Sequence, residues 1–311
     1  MAADTARRSI LLVHFSQSGQ TRAVANALTA PLRDAGHAID ELELATLEPA
    51  PWPWPFWQFL DSFPETVAQS RMALQPWTCG ATYDLIIVAY PVWFLSPAPA
   101  IANWLRSQQA RQLLAGTPVV TVTTCRNMWV EAHRDVQQLL RAANAMPCDH
   151  LALTDPGPPL ATFITTPRWV LTGRREAFWG LPRAGLTEEQ IGGVSRYGRR
   201  IRQALEDTQW QAGRSMLEGT GALRVDPALA GSERIGKRSF RVWGRLLRAC
   251  GTPGTPLRRV VLVAYVAFLL LMIVTVVPVS LLLRRLLAWL APERVQAVAA
   301  ELERQPGTTA S

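Results

Sequence analysis

Three short segments hold residues whose types and spacing suit ligand chemistry. The first is Ser16-Gln-Ser-Gly-Gln-Thr21, with three hydroxyls and successive main-chain N–H groups just before a helical pattern. Unpaired amides at a helix start bind a phosphate without Lys or Arg, and Gly19 lets the backbone come close. This segment carries neither Gly-x-x-x-x-Gly-Lys nor Gly-x-Gly-x-x-Gly; Gly231 to Lys237 has the first spacing but is followed by Arg238 in place of Ser or Thr. A triphosphatase loop and a dinucleotide fingerprint are therefore excluded, and a monophosphate held by Ser16, Gln17, Ser18, Gly19, Gln20 and Thr21 is expected. The second segment is Tyr90-Pro-Val-Trp-Phe-Leu-Ser-Pro97. Its Pro91, Val92, Trp93 and Phe94 offer a flat apolar surface to an aromatic ring system. The third is Thr123-Thr-Cys-Arg-Asn-Met-Trp129. Thr124, Cys125, Arg126 and Asn127 supply amides and polar atoms there, and Trp129 a second planar wall.

The elements that must carry these segments follow from periodicity. Ile10 to Phe15 is a near-continuous apolar run, the pattern of a central parallel strand covered on both faces. Val24, Ala25, Leu28 and Leu32 then recur at helical spacing, with Gly36 as a stop. Strands are expected over 39–44, 84–90, 118–124 and 150–154, with helices over 98–114 and 128–143. Thr187-Glu-Glu-Gln190 is a capping box opening a helix to about Leu205. Strands alternating with helices predict an α/β, doubly wound, five-stranded parallel sheet. Ligands of such sheets lie beyond the carboxyl ends of the strands, where all three segments fall. A phosphate turn with two aromatic loops describes a flavin mononucleotide (FMN) site.

Candidate catalytic residues are Cys125, His14 and Arg126. Cys125 as a nucleophile would need a thiolate and a histidine partner, and His14 or His133 could approach it. A small buried thiol is the weightier alternative. His14 ends the first strand, facing either pocket or core. Arg126 would hold the pyrimidine edge of a flavin or an acidic substrate, or lie on the surface. Arg168, Arg174 and Arg175 would grip an anion or form a solvated face. The Pro- and Trp-rich stretch 49–77 and the stretch 155–185 are long insertions of the kind that form lids. The tryptophans of the first insertion would line a lipophilic channel, dip into a membrane interface, or pack under the loop.

Composition divides the chain. Residues 1–210 hold 18 Arg and 18 acids; residues 211–311 hold 13 Arg, Lys237 and six acids, which gives the whole net charge of +8. A basic half means nucleic acid or anionic lipid, and Val260 to Leu283 decides for lipid. It is 24 residues without a charge, ~36 Å as a helix and enough for a ~30 Å hydrocarbon core. The expected organisation is residues 1–208 as the FMN-binding domain, 209–257 as a basic juxtamembrane segment, 258–285 as a transmembrane helix and 286–311 as a short tail. Eight basic residues against one acid from Glu233 to Arg259 put the main domain in the cytoplasm and the chain, single-pass, in the inner membrane. Arg284 and Arg285 on the far flank keep a re-entrant segment open. Cys79, Cys125, Cys148 and Cys250 form no Cys-x-x-Cys pair, which argues against a metal site or a disulfide framework.

Ser16-x-Ser-Gly-x-Thr21 and Pro91-Val-Trp93 resemble the phosphate loop and flavin-facing loop of the flavodoxin-like superfamily, over roughly residues 8–205. A narrower resemblance covers nearly the whole chain. The Pro-Trp insertion, Trp93-Phe-Leu-Ser-Pro97, Cys125-Arg-Asn-Met-Trp129, Thr165-Thr-Pro-Arg-Trp169, Thr172-Gly-Arg-Arg175 and the tail helix are similar to bacterial membrane-anchored proteins labelled dialkylresorcinol condensing enzyme. These resemblances imply an FMN-dependent oxidoreductase that aromatises a cyclic dione, with a lipophilic substrate and membrane lipids as partners. Quinone reduction by NAD(P)H fits the same architecture. An electron carrier, a scaffold without flavin and a condensing-enzyme partner are the alternatives. Nucleic acid is not expected, and a homodimer is left open.

Overall fold

The computed structural model describes residues 7–290 and 292–308; at 228, 276–290, 292, 294 and 295 only the backbone is described. The central sheet has five parallel strands, β1 (Ser9–His14), β2 (Ala38–Glu43), β3 (Leu85–Trp93), β5 (Pro118–Cys125) and β6 (Met146–Thr154). A two-residue strand, β4 (Ser96–Pro97), pairs antiparallel with the end of β3. The order is β2-β1-β3-β5-β6. Counting parallel strands alone this is 2-1-3-4-5, the flavodoxin-like doubly wound order, with its switch point between β1 and β3.

The continuous apolar runs follow from burial on two sides. Ile10 and Leu12 face a core built with Val24 and Leu28 of α1 (Gln20–Asp34). Leu11 and Val13 face the opposite core, with Ile101 and Trp104 of α3 (Pro99–Arg106) and Leu140 of α5 (Val130–Ala142). The expected 98–114 helix is in fact two. Extended Ser107 (ψ 146°) ends α3 and caps α4 (Gln108–Leu114), its side chain accepting from Ala110 N at 3.2 Å. The capping box forms, but its helix also divides, into α7 (Glu188–Gly193) and α8 (Ser195–Glu206), just past two glycines of low helix propensity. The final strand starts at Met146 rather than 150. Both insertions contain helices: α2 (Phe56–Val67) in the first, α6 (Pro159–Thr172) in the second.

Three further helices follow: α9 (Pro227–Ala249), α10 (Pro256–Leu290) and α11 (Pro292–Leu302). Helix α9 lies on the domain through two buried charges, Glu233 and Lys237, and through Leu247. Helix α10 returns alongside it: Tyr265 stacks on Phe63 of α2 at 4.6 Å, and Trp243 of α9 meets Tyr265 and Phe268. Its stretch Pro256–Thr275 is long and apolar enough to cross a membrane.

Candidate functional site

The turn between β1 and α1 presents a run of main-chain amides at the start of a helix. Gly19 sits at φ 82° and leads into α1, a left-handed conformation that a side chain would strain. Arg22 N is satisfied by Ser16 Oγ (3.1 Å) and Ala23 N by Gly19 O (3.0 Å). Among the described residues, no oxygen accepts from the amides of Gln17, Ser18, Gly19, Gln20 or Thr21. The side chains of this turn instead lock its surroundings. Gln17 Nε2 donates to Pro51 O and Gln17 Oε1 accepts from Trp54 Nε1, both at 2.9 Å. Gln20 Oε1 accepts from Leu186 N (2.7 Å), and the Thr21 and Thr124 hydroxyls meet at 2.7 Å.

Beside the turn opens a cavity of about 210 Å³, reached by the ends of β1, β3 and β5 and roofed by both insertions. Gln17, Ser18, Gln20, Thr21, Pro91, Val92, Trp93, Phe94, Thr124, Cys125 and Arg126 line it. Ser16, Gly19, Asn127 and Trp129 do not. Trp129 belongs elsewhere: it is buried with Val130 and Leu223 and lies 5.0 Å from the His150 ring. The second aromatic wall comes from the insertions. Trp52 meets Trp169 edge-on at 5.8 Å, while Trp54 meets Trp93 at 5.6 Å. Trp54 N donates to Val170 O (2.9 Å), which joins the two insertions over the cavity. Other residues of the first insertion lie apart: Trp77 packs on Trp104, and Trp57 is exposed.

The floor at Phe94 is a tight reversal. Phe94 (φ 48°) and Leu95 (φ 57°) join β3 to β4. Both need a conformation unfavourable to bulky residues. Lys237 of α9 holds it: Nζ donates to Leu95 O (2.6 Å), Ser96 Oγ (2.7 Å) and Asp135 Oδ2 (2.6 Å). Phe94 also rests on Phe59 and Phe63 of α2, at 5.1 and 5.5 Å. Glu233, one turn before Lys237, accepts from Glu131 N (2.7 Å) and so caps the start of α5. Neither residue is recognisable as a support in sequence, where both fall in the basic juxtamembrane segment.

The catalytic candidates separate. Cys125 faces the cavity, but burial pushes its thiol far above the usual range, with nearby Glu233 adding to the effect. No hydrogen bond joins its sulfur to a histidine among the described residues. An activated thiolate is not built here. His14 is fully buried, bonded through Nε2 to Glu41 on β2 (3.0 Å), and does not line the cavity. His133 stacks on His150 at 3.7 Å; burial lowers both, His133 to about 3, so both rings are neutral. Arg126 does face the cavity, its guanidinium 4.0 Å above the Phe163 ring and without a salt bridge among the described residues. Arg168 and Arg175 are committed to Glu176 O and Leu186 O (both 2.9 Å).

Sequence reasoning did not assign Asp155 and Gly185 to the site. Asp155 accepts from Gly157 N (2.8 Å) and Gly185 N (2.6 Å). At Gly185 (φ 81°) a Cβ would lie 2.5 Å from Gln20 Oε1 and 2.8 Å from Trp169. The Asp-Pro-Gly run at 155–157 is the one local signal that a tight turn sits there. No grouping of three His, Cys, Asp or Glu side chains suited to a metal occurs among the described residues.

No protein-family model matches the chain, and no curated protein does. Among solved structures it is similar to a flavodoxin from the domain Archaea: 11% identity over 64% of this chain and 99% of that one, TM-score 0.37. It is also similar to a flavoprotein in complex with FMN from Lactobacillus acidophilus NCFM: 18% identity, 47% and 92% covered, TM-score 0.38. A third is oxidised flavodoxin 1 from Bacillus cereus: 12% identity, 63% and 97% covered, TM-score 0.35. The strand order of its own sheet makes the fold flavodoxin-like.

Proposed function

We propose that this protein is an FMN-dependent oxidoreductase that works on a lipophilic substrate at a membrane surface. One observation carries the reading: unclaimed amides at the start of α1 open beside a cavity walled by tryptophans. The residues fit the cofactor. Amides from Gln17 to Thr21, with the Ser18 hydroxyl, would hold the phosphate. Trp169 and Trp52 on one side, Trp93 and Trp54 on the other, would enclose the ring system. Arg126 supplies positive charge beside it. Bound there, FMN supplies the two-electron redox chemistry.

The chain's own residues orient the substrate and exclude water. The two insertions, joined at Trp54 and Val170, cover the cavity, which favours an enzyme over a carrier that must expose its cofactor to protein partners. The substrate class follows from the lining: Val92, Phe94, Phe59 and Val170 are apolar. Within it, removal of two hydrogens from a dialkyl cyclohexanedione to give a dialkylresorcinol is the reaction that the sequence resemblance implies. Attachment to the cytoplasmic face of the inner membrane, through α10, would bring such a substrate to the site.

The test uses the full chain purified in detergent. The expected result is a yellow protein whose flavin is reduced by NADH or NADPH, or by a cyclic dione that becomes aromatic, and which passes electrons slowly to a one-electron partner. Colourless protein that takes up no added FMN contradicts the proposal. Rapid one-electron transfer without turnover of a dione or quinone makes it a carrier.

A further inference from the structure

We infer that the apolar helix α10 dips into one lipid leaflet and that the chain returns to the side it came from, so the protein is monotopic instead of crossing the bilayer. The inference deepens the membrane reading above and rests on it.

Both ends of the hairpin formed by α10 and α11 are tied to the same α/β domain. At the entry, buried Arg258 bonds Asp61 Oδ1 (2.5 Å) and Glu65 Oε2 (2.6 Å) of α2, and Gly254 N donates to Asp61 Oδ2 (2.7 Å). At the exit, Glu303 Oε1 accepts from Val225 N (2.8 Å). Buried Gln305 then reads both backbone groups of His150 on β6, accepting from its N–H at 2.7 Å and donating to its C=O at 3.0 Å. Gly307 N donates to Cys148 O (2.7 Å) on the same strand. A complete crossing would leave residues 303–307 on the far side of a ~30 Å core, where none of these bonds can form. Helix α11, with 11 residues, covers only ~16 Å and cannot recross it.

The surface suits a leaflet. Helix α10 lies along α9 and buries Leu262 and Tyr265 against it and α2. Its other face exposes Val260, Val263, Leu270, Leu271 and Val274. Helix α9 adds exposed Ile235, Val242 and Leu246. Beside them Arg234, Arg238, Arg241, Arg245 and Arg248, all exposed, recur every three or four residues and share one face. An apolar strip bordered by arginines fits acyl chains under anionic headgroups.

The test places a short epitope after Ser311 in the full chain, expressed in a bacterial host, with protease added outside spheroplasts. The expected result is protein in the membrane fraction with both the α/β domain and the epitope intact, and the epitope lost only after detergent permeabilisation. Loss of the epitope from intact spheroplasts, with the domain preserved, overturns the inference while membrane attachment stands. Recovery in the soluble fraction, as monomer or as a dimer joined through this apolar face, overturns both.

Discussion

Gln20 does two jobs from one position. Its amide belongs to the free set at the start of α1, while its side chain accepts from Leu186 N and sits where a Cβ on Gly185 would have to go. Gly185→Ala must therefore move Gln20 or Trp169 and also place alanine at φ 81°, a conformation that costs about 1–2 kcal/mol. FMN affinity should fall roughly tenfold, read by fluorescence titration; unchanged affinity would separate Gly185 from the site. Cys125 leads to the opposite expectation. Its thiol stays protonated in its buried setting, so Cys125→Ala should keep flavin reduction and substrate turnover within about twofold. A loss of a hundredfold or more would mean that the thiol takes part in the chemistry.

At the level of elements, α9 acts as a support for the site. Lys237→Met leaves Asp135 buried without its closest cation, at a cost of about 3 kcal/mol, and frees the Phe94–Leu95 turn. Thermal melts should drop and FMN should bind more weakly. Adding Asp135→Leu should restore most of the stability but not the affinity; recovery of both would reduce Lys237 to packing alone. Glu233 gives α9 a pH dependence. Burial raises its carboxyl to about 7 from an ordinary 4.5. A folded-state pKa above the unfolded one means that the folded protein binds the extra proton between those values. Stability is therefore lost as pH rises from 4.5 through 7, by about 3 kcal/mol at most. Glu233→Gln keeps an acceptor for Glu131 N without the charge. Its melting temperature should match the parent's near pH 4 and exceed it at pH 8; a gap independent of pH would contradict this.

For the molecule as a whole, the sheet was legible because its strands are buried on both faces and read as unbroken apolar runs, such as Ile10–Val13 and Leu85–Tyr90. The three loops at their carboxyl ends followed from that. Two aspects of the cavity were not. Trp129 looked like a wall by type and position, yet residue type does not say which side of a loop a ring takes, and the core around Leu223 claimed it. Trp52 and Trp169 come from insertions far apart in sequence and meet where Trp54 N bonds Val170 O. Likewise Glu233 and Lys237 read only as part of the basic juxtamembrane segment until their partners on α5 are known. What unites these parts is the claim that the turn at Gln17–Thr21 grips a phosphate while the insertions enclose a ring. Side-by-side titration of the full chain, stripped of flavin, with FMN and with riboflavin, which differs only in lacking the phosphate, tests it most directly. Two or more charge-assisted bonds to that phosphate predict FMN binding at least ~100-fold tighter; equal affinity for the two, or none for either, would contradict the account.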